Sequence, residues 1–315
     1  MGTSSKEGAF VVVLNPRAGA GAAASRRGAL ERAFREHGAE FEVRCTEAPR
    51  HATSLTREAL RAGASGVAVV GGDGTLSEAL NGFFEPDGTP IAPKAWLGPL
   101  PCGTGGDFRR TLRLSKHVRP MVTHLMWARP RPIDVGWLRY QDHDGNPSER
   151  AFLNIASFGL GGLVDQLVND TPKWMGGRGA FLLGTLRAMA RYERQRVRLT
   201  LDDEEPEEMS VLNVAVANGR YFGGGMLIAP GAEIDDGRFD VVSLQQSRLA
   251  AALGTLDVYR GAHIDRPGVK VARARRVLAE PVDPDERVLL DVDGEAPGSL
   301  PATFEIKPGA VLLRA

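Results

Sequence analysis

The chain has 315 residues, 43% of them hydrophobic and 25% charged, which excludes a disordered tail or a single small module and suits roughly two domains with a sizeable core. Basic and acidic side chains number 39 each, so no overall basic field draws the protein onto nucleic acid or anionic lipid. Two cysteines, Cys45 and Cys102, without CxxC spacing, and six scattered histidines exclude a disulfide framework and a structural zinc site.

The first 130 residues alternate β-branched runs with amphipathic stretches. Strands are predicted at AFVVVLN (9–15), EFEVRC (40–45), GVAVV (66–70) and WLGPLP (96–101), with helices near 22–37, 51–62 and 75–84. Strands separated by helices predict a parallel sheet covered on both faces. From about 131 the pattern becomes strand-rich, through PIDVGWLRY, RAFLNIASF, RVRLTLD, MSVLNVAVAN, RFDVVSLQ, VKVARARRVLAE, RVLLDVDGE, ATFEIKP and AVLLRA. Helical candidates near 177–194 and 247–259 interrupt it. The predicted architecture is an α/β domain over 1–130 followed by a mostly antiparallel β-sandwich domain over 131–315. Charge divides with it, 17 basic and 12 acidic residues in the first part against 22 and 27 in the second, an offset that suits an anionic ligand beside the first. The acidic run Asp202 to Glu208 reads as a solvated hairpin turn. The opening MGTSSKEGAF lacks an apolar stretch of signal-peptide length, and no run reaches the ~18 apolar residues of a membrane span. A cytoplasmic location is expected.

Glycine is in excess, with 38 residues where about 22 is usual for this length, and many fall in loops at predicted strand ends. The first strand ends in Asn15-Pro16-Arg17-Ala18-Gly19-Ala20-Gly21 before a helix. Glycine lets backbone N–H groups approach phosphate oxygens, and a helix N-terminus adds partial positive charge. Gly19 to Ala24 also fits a relaxed dinucleotide fingerprint, with Glu40 or Glu42 about 20 residues on, a short match that recurs in many α/β proteins. The third strand ends in Gly71-Gly72-Asp73-Gly74-Thr75, followed by Leu76, Ser77, Glu78 and Asn81. A fourth loop, Leu100 to Arg109 (LPCGTGGDFR), repeats the arrangement. Open α/β sheets bind ligands at such strand ends. Two glycine-bounded aspartates, Asp73 and Asp107, could jointly coordinate Mg²⁺, as ATP chemistry usually requires. No GxxxxGK[ST] motif occurs, which argues against a P-loop NTPase.

NPRAG at 15–19, GGDGT at 71–75 and LPCGTGGDF at 100–108 together resemble the catalytic domain of the diacylglycerol kinase, sphingosine kinase and bacterial lipid kinase family. The resemblance continues through Asp134-Val135-Gly136, Asn154 to Gly159, Asn218-Gly219, Gly223 to Met226 and Ala229-Pro230, and ends at Asp293-Gly294-Glu295. It implies an amino-terminal domain similar to phosphofructokinase and NAD kinase, a β-rich second domain, and ATP bound between the two. Carried over by position, Asn15, Pro16, Arg17, Ala18, Gly19, Thr46, Gly71, Gly72, Asp73, Gly74, Thr75, Leu76, Ser77 and Thr104 line the ATP site. Glu295 is the implied proton acceptor, and Asp73, Asp107 and Asp293 organise Mg²⁺. A structural Mg²⁺ site, as in bacterial members, is implied at the Asp236 carboxylate with backbone oxygens of Glu233 and Arg238. One departure is Gly106, where the family usually has asparagine.

A lipid hydroxyl is a poor nucleophile until a carboxylate can take its proton, which suits Glu295, Asp293 or Asp73 as base. Taken by itself Asp293-Gly294-Glu295 reads first as a plain hairpin turn, and the upstream motifs turn the reading toward catalysis. The reading is an ATP- and Mg²⁺-dependent lipid kinase, with diacylglycerol the favoured acceptor, contacting a lipid substrate peripherally at the inner face of the membrane and not binding nucleic acid. Homodimerisation is left open. Arg187, Arg191, Arg194 and Arg198 follow helical spacing and could form a membrane-facing stripe, although a solvated face on a helix packed against the sheet is the preferred reading. Leu163 to Val168 is a candidate border of an acyl-chain cleft. The competing readings are a soluble-metabolite kinase of the NAD kinase type, with Asp73 as base, a non-catalytic nucleotide sensor, and, more distantly, a dinucleotide oxidoreductase.

Overall fold

A computed structural model describes residues 8–103, 105–160, 194–247 and 254–315. The chain divides into two units, Met1–Ile133 with Gly309–Ala315, and Asp134–Pro308. The last seven residues, assigned on sequence to the second domain, therefore belong to unit 1.

In unit 1, strands β1 (Phe10–Leu14), β2 (Phe41–Cys45), β3 (Gly66–Gly71) and β4 (Trp96–Pro101) form a parallel sheet in the order β2-β1-β3-β4. Helices α1 (Ala22–Glu36), α2 (His51–Arg61) and α3 (Asp73–Asn81) connect them, matching the predicted alternation. The buried runs Val11–Leu14 and Val67–Val70 leave no polar face, as a sheet covered on both sides requires. Phe10 lies between Phe34, Phe41 and Trp96 at ring distances of 5.1–6.0 Å. Two further helices, α4 (Asp107–Thr111) and α5 (Val118–Trp127), follow β4. The returning carboxyl-terminal residues add Leu312 and Leu313 beside Trp96 and Leu97. Buried Arg314 holds them by donating to the Ala128 and Met126 carbonyls.

Unit 2 is a sandwich. One sheet contains β5 (Arg131–Asp142), β6 (Pro147–Phe152), β8 (Gln195–Leu201), β9 (Glu207–Val211), β13 (Arg276–Pro281) and the first part of β15 (Gly298–Leu313). The other is ordered β12-β11-β10-β7-β14, from Val269–Ala274, Phe239–Leu244, Asn213–Ala217, Ile155–Gly159 and Leu290–Val292. Its core stacks Phe152 on Phe239 and Phe158 on Phe304, and the predicted acidic hairpin joins β8 to β9.

ATFEIKP and AVLLRA, read as two strands, form the single strand β15. Of the predicted helix near 247–259, the described part is α6 (Thr255–Arg260). The helix predicted at 177–194 and the Leu163–Val168 cleft border lie outside the described residues, as do Arg187 and Arg191. Arg194 directly precedes β8, outside any helix, and Arg198 lies on β8, paired with Glu208, so the arginine series does not continue as one helix.

Beyond α6, a short 3₁₀ helix, Ala262–Asp265, buries His263, whose Nε2 lies 3.0 Å from the Ile228 carbonyl. Burial lowers the His263 pKa against the pull of Ile228 and Asp257. A depressed histidine favours the fold when neutral, so its contribution is present above the unfolded-state value of about 6.5 and is lost as pH falls through the folded value. Urea midpoints should therefore drop on acidification below about pH 6.5, and His263→Asn should flatten that dependence. An unchanged slope in the variant refutes the assignment.

Candidate active site

Three loops of unit 1 meet at the carboxyl ends of β1, β3 and β4. After β1, Asn15 turns the chain by accepting the Arg17 N–H on Oδ1 and donates from Nδ2 to Thr75 Oγ1 at 3.0 Å. Gly19, Ala20 and Gly21 follow with φ of 62°, 55° and 89°, left-handed backbone that favours glycine. At Gly19 a Cβ would stand 2.2 Å from the Cys102 carbonyl oxygen, so the first loop lies directly on the fourth. The third and fourth loops touch through glycines as well, since a Cβ on Gly103 would come within 2.6 Å of the Gly72 Cα. Pro16 and Ala18 are half-buried in the first loop and Arg17 is exposed. Thr46, buried just after β2, donates its N–H to Leu14. Thr75, Leu76 and Ser77 are buried on α3, while Gly74 is half-buried. The predicted nucleotide residues of unit 1 are thus brought together, apart from Thr104, which lies outside the described residues. The crevice lined by the third and fourth loops holds about 20 Å³, near the size of one water and far too small for a nucleotide.

Asp73 opens α3, and its carboxylate reaches across to the next loop. Oδ2 accepts the N–H groups of Gly106 (2.7 Å) and Asp107 (3.0 Å), and Oδ1 that of Phe108 (3.2 Å). These are orphan donors at the start of α4, whose five residues supply no side-chain cap. Gly106 adopts φ 70°, ψ 48°, a conformation that asparagine tolerates next best after glycine. Asp107, buried at the first position of α4, pairs with Arg110 at 2.6 Å. Burial first, and the neighbouring Arg110 second, lower the Arg109 pKa against Asp73 and Asp107.

Unit 2 repeats the device. The turn after β14 places Asp293 at φ 52° and Gly294 at φ 86°, the double left-handed signature of a tight hairpin. Asp293 Oδ2 accepts the Leu153 N–H, and Oδ1 accepts those of Asn154 and Ile155, all at 3.0–3.1 Å. Burial raises the Asp293 pKa, while those N–H groups and Arg150 oppose the shift. Glu295 Oε2 pairs with Arg150 Nη1 at 2.9 Å, with the glutamate side chain 44% exposed and the arginine 15%. Arg150 carried no role in the sequence reading, because a lone arginine 145 positions away in a strand gives no sign of its partner. Behind the turn, the Asn154 carbonyl accepts the N–H groups of Asn218 and Gly219, and Asn218 Nδ2 donates to Asp134 and Leu153.

The metal expectations meet these constraints. A carboxylate offers about four lone-pair sites, and three are taken at both Asp73 and Asp293. Each fits Mg²⁺ through one oxygen or through water, which suits an ion that keeps several of its waters. Asp236 accepts the Arg238 N–H on Oδ1 and an Arg273 guanidinium hydrogen bond on Oδ2, so a cation there has to compete with Arg273. Glu233 and Arg238 are exposed in the same turn. Among the described residues, no group of three or more His, Cys, Asp or Glu side chains is arranged to hold a metal.

A family model described as the diacylglycerol kinase catalytic domain matches residues 9–138. Another, the YegS C-terminal NAD kinase beta sandwich-like domain, matches residues 154–315. A diacylglycerol kinase of Mycobacterium tuberculosis (strain CDC 1551 / Oshkosh) is 31% identical over 307 residues, covering 96% of this chain and 94% of its own. This chain belongs to the diacylglycerol kinase catalytic-domain family. It is accordingly an enzyme of the kinase class. A Bacillus subtilis (strain 168) diacylglycerol kinase is 28% identical, with 93% of this chain and 91% of that one covered. A crystal structure described as a diacylglycerol kinase of Bacillus anthracis str. Sterne matches with a TM-score of 0.68 at 21% identity, over 99% of this chain and 97% of that one, a likeness of fold.

Removing the carboxylate clamps should loosen the loops even without metal. In chelator, Asp73→Asn should lower unfolding free energy by about 1–3 kcal/mol and speed amide exchange at Gly106 to Phe108. Asp293→Asn should do the same at Leu153 to Ile155. Unchanged stability and exchange in chelator would assign these aspartates to metal rather than to backbone. Separately, Gly19→Ala should cost about 1 kcal/mol or more, read from denaturant midpoints, because both its φ and the Cys102 carbonyl oppose a Cβ.

Proposed function

We propose that the enzyme transfers the γ-phosphate of ATP to a lipid hydroxyl, with diacylglycerol as the favoured acceptor and phosphatidic acid as product. The observation that carries this reading is the contrast among the motif carboxylates. Asp73 and Asp293 each serve three backbone N–H groups and Asp107 holds Arg110. Glu295 is 44% exposed and, among the described residues, has a hydrogen bond on Oε2 and none on Oε1. A general base needs that accessibility. The kinase names of its relatives support the same reading.

In this reading the phosphates lie along Asn15 to Gly19 and over Gly71 to Thr75, where glycine permits close backbone approach and the start of α1 supplies partial positive charge. Arg150 orients Glu295, which takes the proton from the lipid hydroxyl as that oxygen attacks the γ-phosphorus and ADP leaves. Asp73 would hold Mg²⁺ through its remaining lone-pair site or through water, with Asp107 beside it paired to Arg110, and the ion would neutralise charge on the transferring phosphates. No described helix is long and apolar enough to cross a membrane, and the acceptor is reached by peripheral contact at the inner membrane face.

The test is purified protein with γ-labelled ATP, Mg²⁺ and micellar diacylglycerol, sphingosine, ceramide or undecaprenol, with NAD as a further acceptor. Labelled phosphatidic acid is expected. Phosphorylated NAD without labelled lipid overturns the reading in favour of a soluble-metabolite kinase. Glu295→Gln should lower turnover about 10²–10⁴-fold, with ATP affinity within a few-fold of the parent, whereas undiminished turnover would remove Glu295 as base.

A further inference from the structure

The turn that carries Glu295 is closed by Val292 and Glu295, whose N–H groups donate to each other's carbonyls at 2.8 and 3.1 Å. Ala296 and Pro297 follow outside any strand until β15 begins at Gly298, and proline brings no N–H with which to fasten this exit. The hairpin of β5 and β6 supplies the fastening. At its tip the Asp142 Oδ1 accepts the N–H groups of Asp144 and Asn146 at 2.9 and 2.8 Å, and the Asp142 N–H donates to the Asn146 carbonyl at 2.9 Å. His143 thus belongs to a loop whose backbone is set. Its Nε2 lies 2.8 Å from the Ala296 carbonyl oxygen, and its Nδ1 lies 3.2 Å from Arg287 Nη2. A guanidinium only donates, so Nδ1 accepts from Arg287 and the ring N–H sits on Nε2, aimed at Ala296. Arg287 also donates to the His143 carbonyl at 3.3 Å, which ties ring and backbone together. Two residues past Ala296, a Cβ at Gly298 would stand 1.9 Å from the Gln141 carbonyl oxygen, so hairpin and exit touch directly. From the same hairpin Arg150 reaches Glu295 Oε2.

We propose that His143, set by Arg287, is a positioning residue for Glu295, a role that rests on the reading of Glu295 as the proton acceptor. Asp293 holds the entry to the turn through Leu153 to Ile155, Arg150 holds the carboxylate, and His143 holds the exit through the Ala296 carbonyl. A carboxylate bound on Oε2 can pivot about that contact, and the backbone on either side of it decides where Oε1 points. Proton transfer needs heavy-atom separations of about 2.6–3.2 Å, and a misplacement of about 1 Å can cost on the order of 10²-fold in rate. The hydrogen bond to Ala296 therefore matters to the chemistry although His143 touches neither substrate nor the carboxylate. Histidine suits the place because one planar ring accepts from Arg287 and donates to Ala296 in a fixed direction. A lysine there would also reach a carbonyl, but it would add a positive charge beside the turn and compete with Arg150 for Glu295.

Steady-state kinetics of the full chain with γ-labelled ATP, Mg²⁺ and micellar diacylglycerol test the proposal, with amide exchange as a readout independent of activity. His143→Leu should lower kcat about ten-fold while the KM for ATP stays within about two-fold of the parent. It should also speed exchange at the N–H groups of Gly294 and Glu295, which bond to Asp291 and Val292. His143→Gln, whose amide can donate to Ala296 and accept from Arg287, should keep kcat within a few-fold and leave exchange unchanged. In a Glu295→Gln background His143→Leu should cause no further loss, because residues acting through one another are not additive. A loss of the same size in that background, or unchanged exchange at the turn, overturns the proposal. Failure of the base reading looks different: Glu295→Gln then keeps full turnover, while faster exchange in H143L still ties the ring to the turn. His143 is exposed, so H143L should keep the parent's circular dichroism. Should it lose the folded spectrum, Arg287→Met, which releases the ring without removing it, is judged by the same two comparisons.

Discussion

An aspartate carboxylate receiving three successive backbone N–H groups is the interaction on which both signature loops depend. Glycine-rich loops have few side chains with which to fix themselves, and their backbone donors must find acceptors. In unit 1 Asp73 supplies the acceptor for Gly106 to Phe108, and in unit 2 Asp293 does so for Leu153 to Ile155. Hydrogen bonds to an ionised acceptor are stronger than those between neutral groups, so one charge organises a turn that many weak contacts could not. The glycine approaches that stack the loops, Gly19 on Cys102 and Gly72 on Gly103, rely on the fourth loop being held where Asp73 holds it.

This arrangement divides labour among the acidic residues. From a motif, every aspartate beside glycine looks like a metal ligand, yet most of the oxygen lone pairs of Asp73 and Asp293 are turned inward to the chain. The same turn that binds Asp293 to the backbone carries Glu295 outward, two residues on, to the Arg150 guanidinium. The backbone-bound Asp293 and the exposed Glu295 sit side by side because the left-handed Asp293-Gly294 pair reverses the chain between them.

The parallel sheet was legible in the sequence because the β-branched runs of β1 and β3 are buried on both faces and leave no polar alternation to confuse them. The acidic hairpin was legible because seven residues of mostly one charge tolerate no burial. Helices α4 and α5 were not foreseen, α4 being a single short turn held from outside by Asp73. The arginine series misled because a spacing of four fits one face of a helix and, as a multiple of two, one face of a strand, and Arg198 took the strand. Strand β15 read as two because Pro308-Gly309 resembles a break, yet the strand runs through both residues. Of the candidate site, the loops that meet at the strand ends were visible through their glycines. The carboxylate partners were not, since the Asp73 donors lie 33 to 35 positions away and the Asp293 donors 138 to 140.

The final residues of the chain complete the first unit, with Leu312 and Leu313 beside β4 and Arg314 buried against the Ala128 and Met126 carbonyls. A protein is synthesised from its amino terminus, and domains commonly fold as they emerge. Here the unit that is made first lacks its last strand segment until residues 309–315 have been made. The glycine-rich loops are thus carried by a sheet that becomes whole only after residues 134–308 of the second unit have been made, so a chain interrupted before residue 309 leaves the far side of β4 uncovered.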